Sequence, residues 1–312
     1  MGISGWRYEG WRGGFYPEGL PQRRELEYAA SLLPTIEING SFYSLQRPEY
    51  FDEWYRETPR GFLFAVKGGR YITHVRRLRD VETPLANFYA SGLFNLREKL
   101  GPFLWQFPPS LRYDPERFEA FFASLPRDTE AALAMAKRHS DWMKDRTQLK
   151  VDEHRALRHA IEVRHESFVD PSFVDMLRRH GLAWVIADAA GKWPYKEDVT
   201  ADFVYIRLHG ETELYSSGYD DTSLERWAGR IRDWADGREP ADAQRIGSAA
   251  PTGTPRDIYC YFDNDYKVRA PFDAQSLMRK LDVRWDAPEV RIDPPRRRRT
   301  RTAASDAPRP AL

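Results

Sequence analysis

The chain has 312 residues, 41% of them hydrophobic and 14% aromatic, enough apolar material for one large α/β barrel or two small domains, and far too much for a disordered chain. A single cysteine, Cys260, excludes an intramolecular disulfide and a Cys-based zinc site, fits a reducing compartment and gives a cytoplasmic location as the expectation. Net charge is +1, yet residues 291–312 hold seven Arg against two Asp and leave about −4 on the rest, so the body lacks the overall basic character usual in nucleic-acid domains.

The opening MGISGWRYEGWRGG has no apolar core of a secretory signal, and no run of about eighteen apolar residues occurs anywhere, so no membrane partner is expected. From there, short apolar runs alternate with longer amphipathic ones, the pattern of βα units around a parallel sheet. The spacing predicts strands at 2–6, 35–39, 62–67, 103–107, 160–164, 183–188, 203–209 and 258–263. Helices are predicted at 21–33, 48–57, 84–99, 115–125, 171–180, 223–235 and 271–281, most of them opening on Pro, whose missing N–H is harmless in a first turn. Residues 126–157, rich in Ala, Lys, Arg and Asp, read as an inserted helical pair between strands 4 and 5, and 238–256 as a loop. Eight strands with intervening helices fit a TIM-like (β/α)8 barrel over 1–286 better than an open sheet, and no GxGxxG or GxxxxGK[ST] loop is present. Residues 287–312, Arg- and Pro-rich, are expected to form a disordered tail; a solvated tail is the plain reading, an RNA-binding or membrane-surface arm the sharper one.

Alternation along the strands separates polar from apolar faces. Glu37 and Asn39 share one face of their strand, Glu162 and Arg164 share another, and Tyr205, Arg207 and His209 oppose Val204, Ile206 and Leu208. In each case the polar pair lies toward the C-terminal end, where barrel sites form. Other strands finish on Lys67, Gln106, Asp188 and Asp263, and the first on Trp6. So many polar groups at one mouth imply a ligand or a satisfied network.

Gly2-Ile3-Ser4-Gly5-Trp6 with Phe15-Tyr16-Pro17, Glu37-Ile38-Asn39 with Ser41-Phe42-Tyr43, and Lys67 to Arg70 with Ile72-Thr73-His74 form the first part of a longer pattern. It continues through Gln106-Phe107-Pro108-Pro109, Glu162-Val163-Arg164-His165-Glu166-Ser167, Tyr205 to Gly210 and Tyr261-Phe262-Asp263-Asn264-Asp265. Together these resemble the DUF72 (YecE-like) family over residues 2 to about 281. The resemblance implies a TIM-barrel-like fold and no established activity. Three departures stand out: Asp263 where Asn is usual, Gly68-Gly69 where Ala-Pro or Ala-Ser is usual, and an insertion longer than the family's. The glycine pair is expected to loosen the loop after Lys67. The first strand starts almost at residue 1, so part of it is expected upstream of this start.

Cations outnumber acids at the mouth, which favours a phosphate- or carboxylate-bearing ligand. The leading reading is an enzyme using acid–base chemistry, with Glu37, Glu162 and His209 as catalytic candidates. Binding candidates are Trp6, Asn39, Tyr43, Lys67, Arg70, His74, Gln106, Arg164, His165, Asp188, Arg207 and Asn264. The rival is a non-catalytic barrel that binds nucleic acid or an anionic metabolite. A plainer reading pairs Glu37 or Glu162 with Arg164 or Arg207 as an internal salt-bridge network. Glu37 and Glu162 would also suit glycoside chemistry with Trp6, Phe42, Tyr43 and Tyr219 as stacking faces. A metal reading recruits Glu162, Asp188, His209 and His165 or His74, but without HExxH spacing no ligand set is assigned. The basic loop from Lys67 to Arg79 around Tyr71 suits a phosphate backbone and a stacked base. Neither a cofactor nor an oligomeric state can be named from the sequence.

Overall fold

The structure is a computed structural model and describes residues 1–290; nearly all of the expected tail, including the Arg run at 296–301, lies outside them. Eight parallel strands close into a barrel in sequence order. They are β1 Gly2–Ser4, β2 Thr35–Ile38, β3 Leu63–Lys67, β4 Leu100–Gln106, β5 His159–Glu162, β6 Ala183–Asp188, β7 Phe203–Leu208 and β8 Asp257–Phe262. Each coincides with a predicted strand to within a few residues, and β1 pairs with β8 to complete the ring. No helix of the described residues is long and apolar enough to cross a membrane.

The outer layer contains α1 Glu25–Leu32, the one-turn α2 Gly40–Tyr43, α3 Pro48–Glu57, α4 Glu82–Ala90, α5 Pro115–Ser124, α6 Thr129–Ala136, α7 Pro171–His180, α8 Asp221–Ala235 and α9 Ala270–Lys280. Caps fix several of these ends: Asp114, Asp128, Asp170 and Asp220 each accept a backbone N–H of the first turn, which satisfies a donor the helix itself cannot. The helix expected over 84–99 is two pieces. Gly92, at φ +118°, turns the chain where a Cβ would lie 2.5 Å from Pro48 Cα, and a 3-10 stretch, Leu93–Lys99, follows. The insertion is likewise one helix, α6, plus a 3-10 stretch, Asp141–Arg146. Residues 238–256 form no regular element. They are held instead by the buried carboxylates of Glu197 and Asp198, which accept backbone N–H groups of Gln244, Ile246 and Gly247.

Two apolar regions follow from strand parity. Side chains such as Ile36, Phe64, Phe103, Ile161, Trp184 and Ile206 face the helices. Ala65, Leu104, Ala160, Ala183, Val185, Ala187, Tyr205 and Tyr261 fill the barrel. The small residues of β6 make room for Tyr205 and Tyr261, whose rings lie 5.2 Å apart. This packing closes the lower barrel, so the polar strand ends above it become the floor of a cleft.

Gly68 has a packing reason. A Cβ there would approach the Trp105 ring to 2.3 Å, whereas at Gly69 its nearest neighbour is 3.8 Å away. Gly68→Ala is therefore expected to destabilise the protein by roughly 1–3 kcal/mol through overpacking, and Gly69→Ala to change little; urea unfolding of the two variants measures the contrast. Equal stability of both would show that Trp105 does not dictate Gly68.

Candidate functional site

The floor of the cleft is organised by one guanidinium. Arg207, fully buried on β7, reaches from Nη1 to Glu162 Oε2 of β5 at 2.7 Å, and from Nη2 to Glu37 Oε1 of β2 at 2.8 Å, Asp263 Oδ2 just past β8 at 2.8 Å and Ser4 Oγ of β1 at 2.9 Å. Both carboxylates are completed by further donors. Ser4 Oγ donates to Glu37 Oε1, Tyr205 Oη donates to Oε2 at 2.6 Å, and Arg164 Nε donates to Glu162 Oε1 at 2.7 Å. Register explains the meeting: Ser4 lies opposite Glu37 across the β1–β2 pair, and inward parity brings Glu162 and Arg207 from strands two places apart.

Electrostatics lock these groups in their charged forms. Burial would raise the Glu162 carboxyl, but the Arg164 and Arg207 guanidiniums pull it far below the usual carboxylate range. Asp263 behaves the same way: burial opposes its charge, and Arg207 with His209 overrides that. Arg207 is held well above its ordinary value by Glu37, Asp263 and Glu162 against the cost of burial. Burial and then Arg207 push His209 down, so the ring is neutral. Its Nε2 lies 3.4 Å from Arg207 Nη1, which can only donate, so the imidazole proton sits on Nδ1, 3.0 Å from Asp263 Oδ2 but poorly aligned as a hydrogen bond. Trp193 and Tyr215 cover the ring edge to face, at 5.3 and 5.5 Å.

Above the floor lies a cleft of about 760 Å³. Arg164 is only 10% exposed, bonded to Glu162 through Nε alone, and its flat face lies 3.6 Å from the Trp193 ring centre. Its two terminal amino groups have no partner among the described residues, and the residue lines the cleft. Lys67, at the end of β3, holds its ammonium 4.6 Å over the Phe42 ring with no carboxylate in contact among the described residues. Burial, then Arg207, lower its pKa to about 8. His74 falls to about 4 through burial and the Arg164 charge, and is neutral. Asp265 is raised to about 6, by burial first and then by Asp263, and the neighbouring Tyr8 hydroxyl is bonded to Ser4 O at 2.5 Å. Two buried polar atoms, Trp6 Nε1 and Asn39 Oδ1, have no partner among the described residues, and both residues line the cleft.

Of the residues singled out from the sequence, Trp6, Asn39, Tyr43, Lys67, Arg70, His74, Gln106 and Arg164 line this space. Glu37, Glu162, Arg207 and His209 lie beneath it, fully buried. Glu37 and Glu162 have every carboxylate oxygen engaged and shape the floor. Three residues fall elsewhere. Asp188 faces outward beside Tyr219, because its neighbours Val185 and Ala187 take the inward positions. His165 is off the strand and its Nδ1 caps a 3-10 turn, accepting from Ser167 N at 3.0 Å. Asn264, one step past Asp263, donates to Ser217 O and Asp273 Oδ2, both at 2.9 Å, beneath α9. The residues of the metal reading are therefore dispersed over the floor, the outer wall and a loop. Ser4, Tyr8, Asp265 and Tyr215 are not among the expected site residues; Ser4 carries a signal in its inward parity on β1, and Ser4 and Asp265 both fall within the family-like motifs.

The family model described as protein of unknown function DUF72 matches residues 1–299. The UPF0759 protein YunF of Bacillus subtilis (strain 168) is 29% identical over 114 residues, a match spanning 35% of this chain and 39% of that relative. Among solved structures, a DUF72 family protein (TM1631) of Thermotoga maritima is similar with a TM-score of 0.66 at 24% identity, covering 90% of this chain and 98% of that one. Another DUF72 family protein (EF0366), from Enterococcus faecalis, gives a TM-score of 0.67 at 18% identity over 94% and 98%. These likenesses carry the fold.

Proposed function

The chain belongs to the DUF72 family of proteins of unknown function, and from that premise we propose that its cleft binds a phosphate- or carboxylate-bearing ligand and performs acid–base chemistry on it. The observation that carries this reading is Arg164. An almost fully buried guanidinium, fixed by Glu162 at one edge and Trp193 on its face, keeps its terminal fork open to the cleft. Planar forks of this kind recognise carboxylate and phosphate with paired hydrogen bonds. Lys67 adds a partly desolvated charge, and exposed Arg70 adds another at the rim.

Lys67 and Asp265 are the proton-transfer candidates, since their values of about 8 and about 6 bracket neutrality, where acid and base forms are both accessible. Glu37, Glu162 and His209 hold the platform on which these groups stand.

Calorimetric titration with sulfate, whose charge is constant from neutral to alkaline pH, tests the anion site. Binding is expected near neutrality and to weaken by roughly tenfold once Lys67 is neutral, with the change centred near its pKa of about 8. Undetectable binding would remove Lys67 and Arg164 from the role, and pH-independent binding would remove Lys67. Turnover of phosphomonoesters that Asp265→Asn abolishes without loss of binding would support chemistry. Binding with no turnover across such substrates would leave a binding protein.

A further inference from the structure

A second hollow of about 560 Å³ adjoins the cleft, and the loop after β3 contributes to the walls of both: Arg70 and His74 line the cleft, Gly69, Tyr71, Ile72 and Arg76 the hollow. Two rings there are left in solvent, Tyr71 at 54% and Trp142 at 61% exposure, although the protein buries most of its aromatic residues. Trp142 comes from the insertion between β4 and β5. The hollow's amide is already engaged: Asn87 donates to Ser140 Oγ at 3.1 Å and accepts from Ser140 N at 2.8 Å. What remains on offer is ring surface, with little to read a hydrogen-bond pattern.

The shared loop is also the basic part of an otherwise acidic body. From Lys67 to Asp80 it holds five Lys and Arg against one Asp. Arg76 is paired with Asp80 at 2.5 Å and Arg77 donates to Ser110 Oγ at 2.6 Å, whereas the side chains of Arg70 and Arg79 have no partner among the described residues. Exposed, unpaired Arg70, on the loop shared by the anion cleft and the bare rings, matches the chemistry of an unpaired polynucleotide: a phosphate can pair with the arginine, and any base can stack on a ring. A duplex offers no free base face to such a site.

We propose that the two hollows take one ligand, a single-stranded nucleic acid, with a terminal phosphate held by Arg164 and Lys67 and an adjoining base stacked on Tyr71 and Trp142. This rests on the anion cleft proposed above and names its ligand class.

Fluorescence anisotropy with labelled single-stranded oligonucleotides of about eight nucleotides, carrying or lacking a terminal phosphate, tests it beside the sulfate titration. The expected result is binding that favours the phosphorylated strand over its unphosphorylated form and over the duplex. Tyr71→Ala and Trp142→Ala should each weaken that binding by roughly 5- to 100-fold, leave sulfate binding intact, and be rescued by Phe. Sulfate binding without oligonucleotide binding would overturn this proposal and leave the anion cleft standing. Loss of both would overturn both. Equal affinity for duplex, or affinity untouched by the two ring variants, would overturn the stacking assignment.

Discussion

Methionine in place of Arg207 is expected to lower the free energy of unfolding by roughly 3–5 kcal/mol, because it strands buried carboxylates that lose their common counter-ion. Glu37 and Glu162 lie at zero exposure and Asp263 at 13%, so none can rotate freely into water. The pH dependence carries the diagnosis. In the native protein Glu162 and Asp263 titrate below their ordinary range, so their stabilising share is present above about pH 4 and is lost as pH falls through their folded values. In the variant, desolvation without Arg207 raises Asp263 above that range while Arg164 still holds Glu162 down, and stability falls as pH rises from the ordinary carboxylate value to the raised one. The difference between the two proteins, measured by urea unfolding, is expected to be widest near neutrality and to narrow toward about pH 4. A gap that stays constant with pH would mean that lost packing, and not stranded charge, is responsible. Arg207→Lys should recover only part of the loss, since a single ammonium cannot reach partners spread over both terminal amino groups of the guanidinium.

Arg164→Gln is expected to weaken sulfate binding by roughly 10- to 100-fold, the loss of a charge-assisted, paired contact in a desolvated site. The fold should survive, because Glu162 keeps its 2.7 Å contact with Arg207. Arg164→Lys should restore the charge without the planar fork and recover little of the affinity. Trp193→Leu should act in the same direction but more weakly, by releasing the guanidinium from the ring 3.6 Å away. Calorimetry at one neutral pH ranks the three. Unchanged affinity in Arg164→Gln would place the anion elsewhere.

Strand parity made the floor legible in advance. Inward parity groups Glu37, Glu162, Arg164, Arg207 and His209, and the structure joins the two glutamates and two arginines as salt-bridge partners with neutral His209 beside Arg207. The pairing itself was not readable, because it depends on barrel closure placing β2, β5, β7 and the end of β8 around one point. Asp188 shows the limit of judging a strand by its last residue: in Ala183-Trp184-Val185-Ile186-Ala187-Asp188 the bulky Trp184 and Ile186 mark the outward face, and Asp188 shares it. His165 and Asn264 sit one residue past inward positions, where the backbone has left the strand and parity no longer applies. Asp265 and Tyr8 lie on loops with no periodic signal. The break at Gly92 and the need for Gly68 both arise from close approach of distant segments, which no local pattern encodes.

Arg207 draws together Ser4, Glu37, Glu162 and Asp263, so its ligands come from both sides of the join where β8 meets β1. The arrangement acts as a clasp on a hoop. During synthesis it stays incomplete until residue 263 has emerged, long after β1 and β2 are available. Anion recognition should therefore arrive with the final strand, and no half-barrel cut from this chain should inherit it.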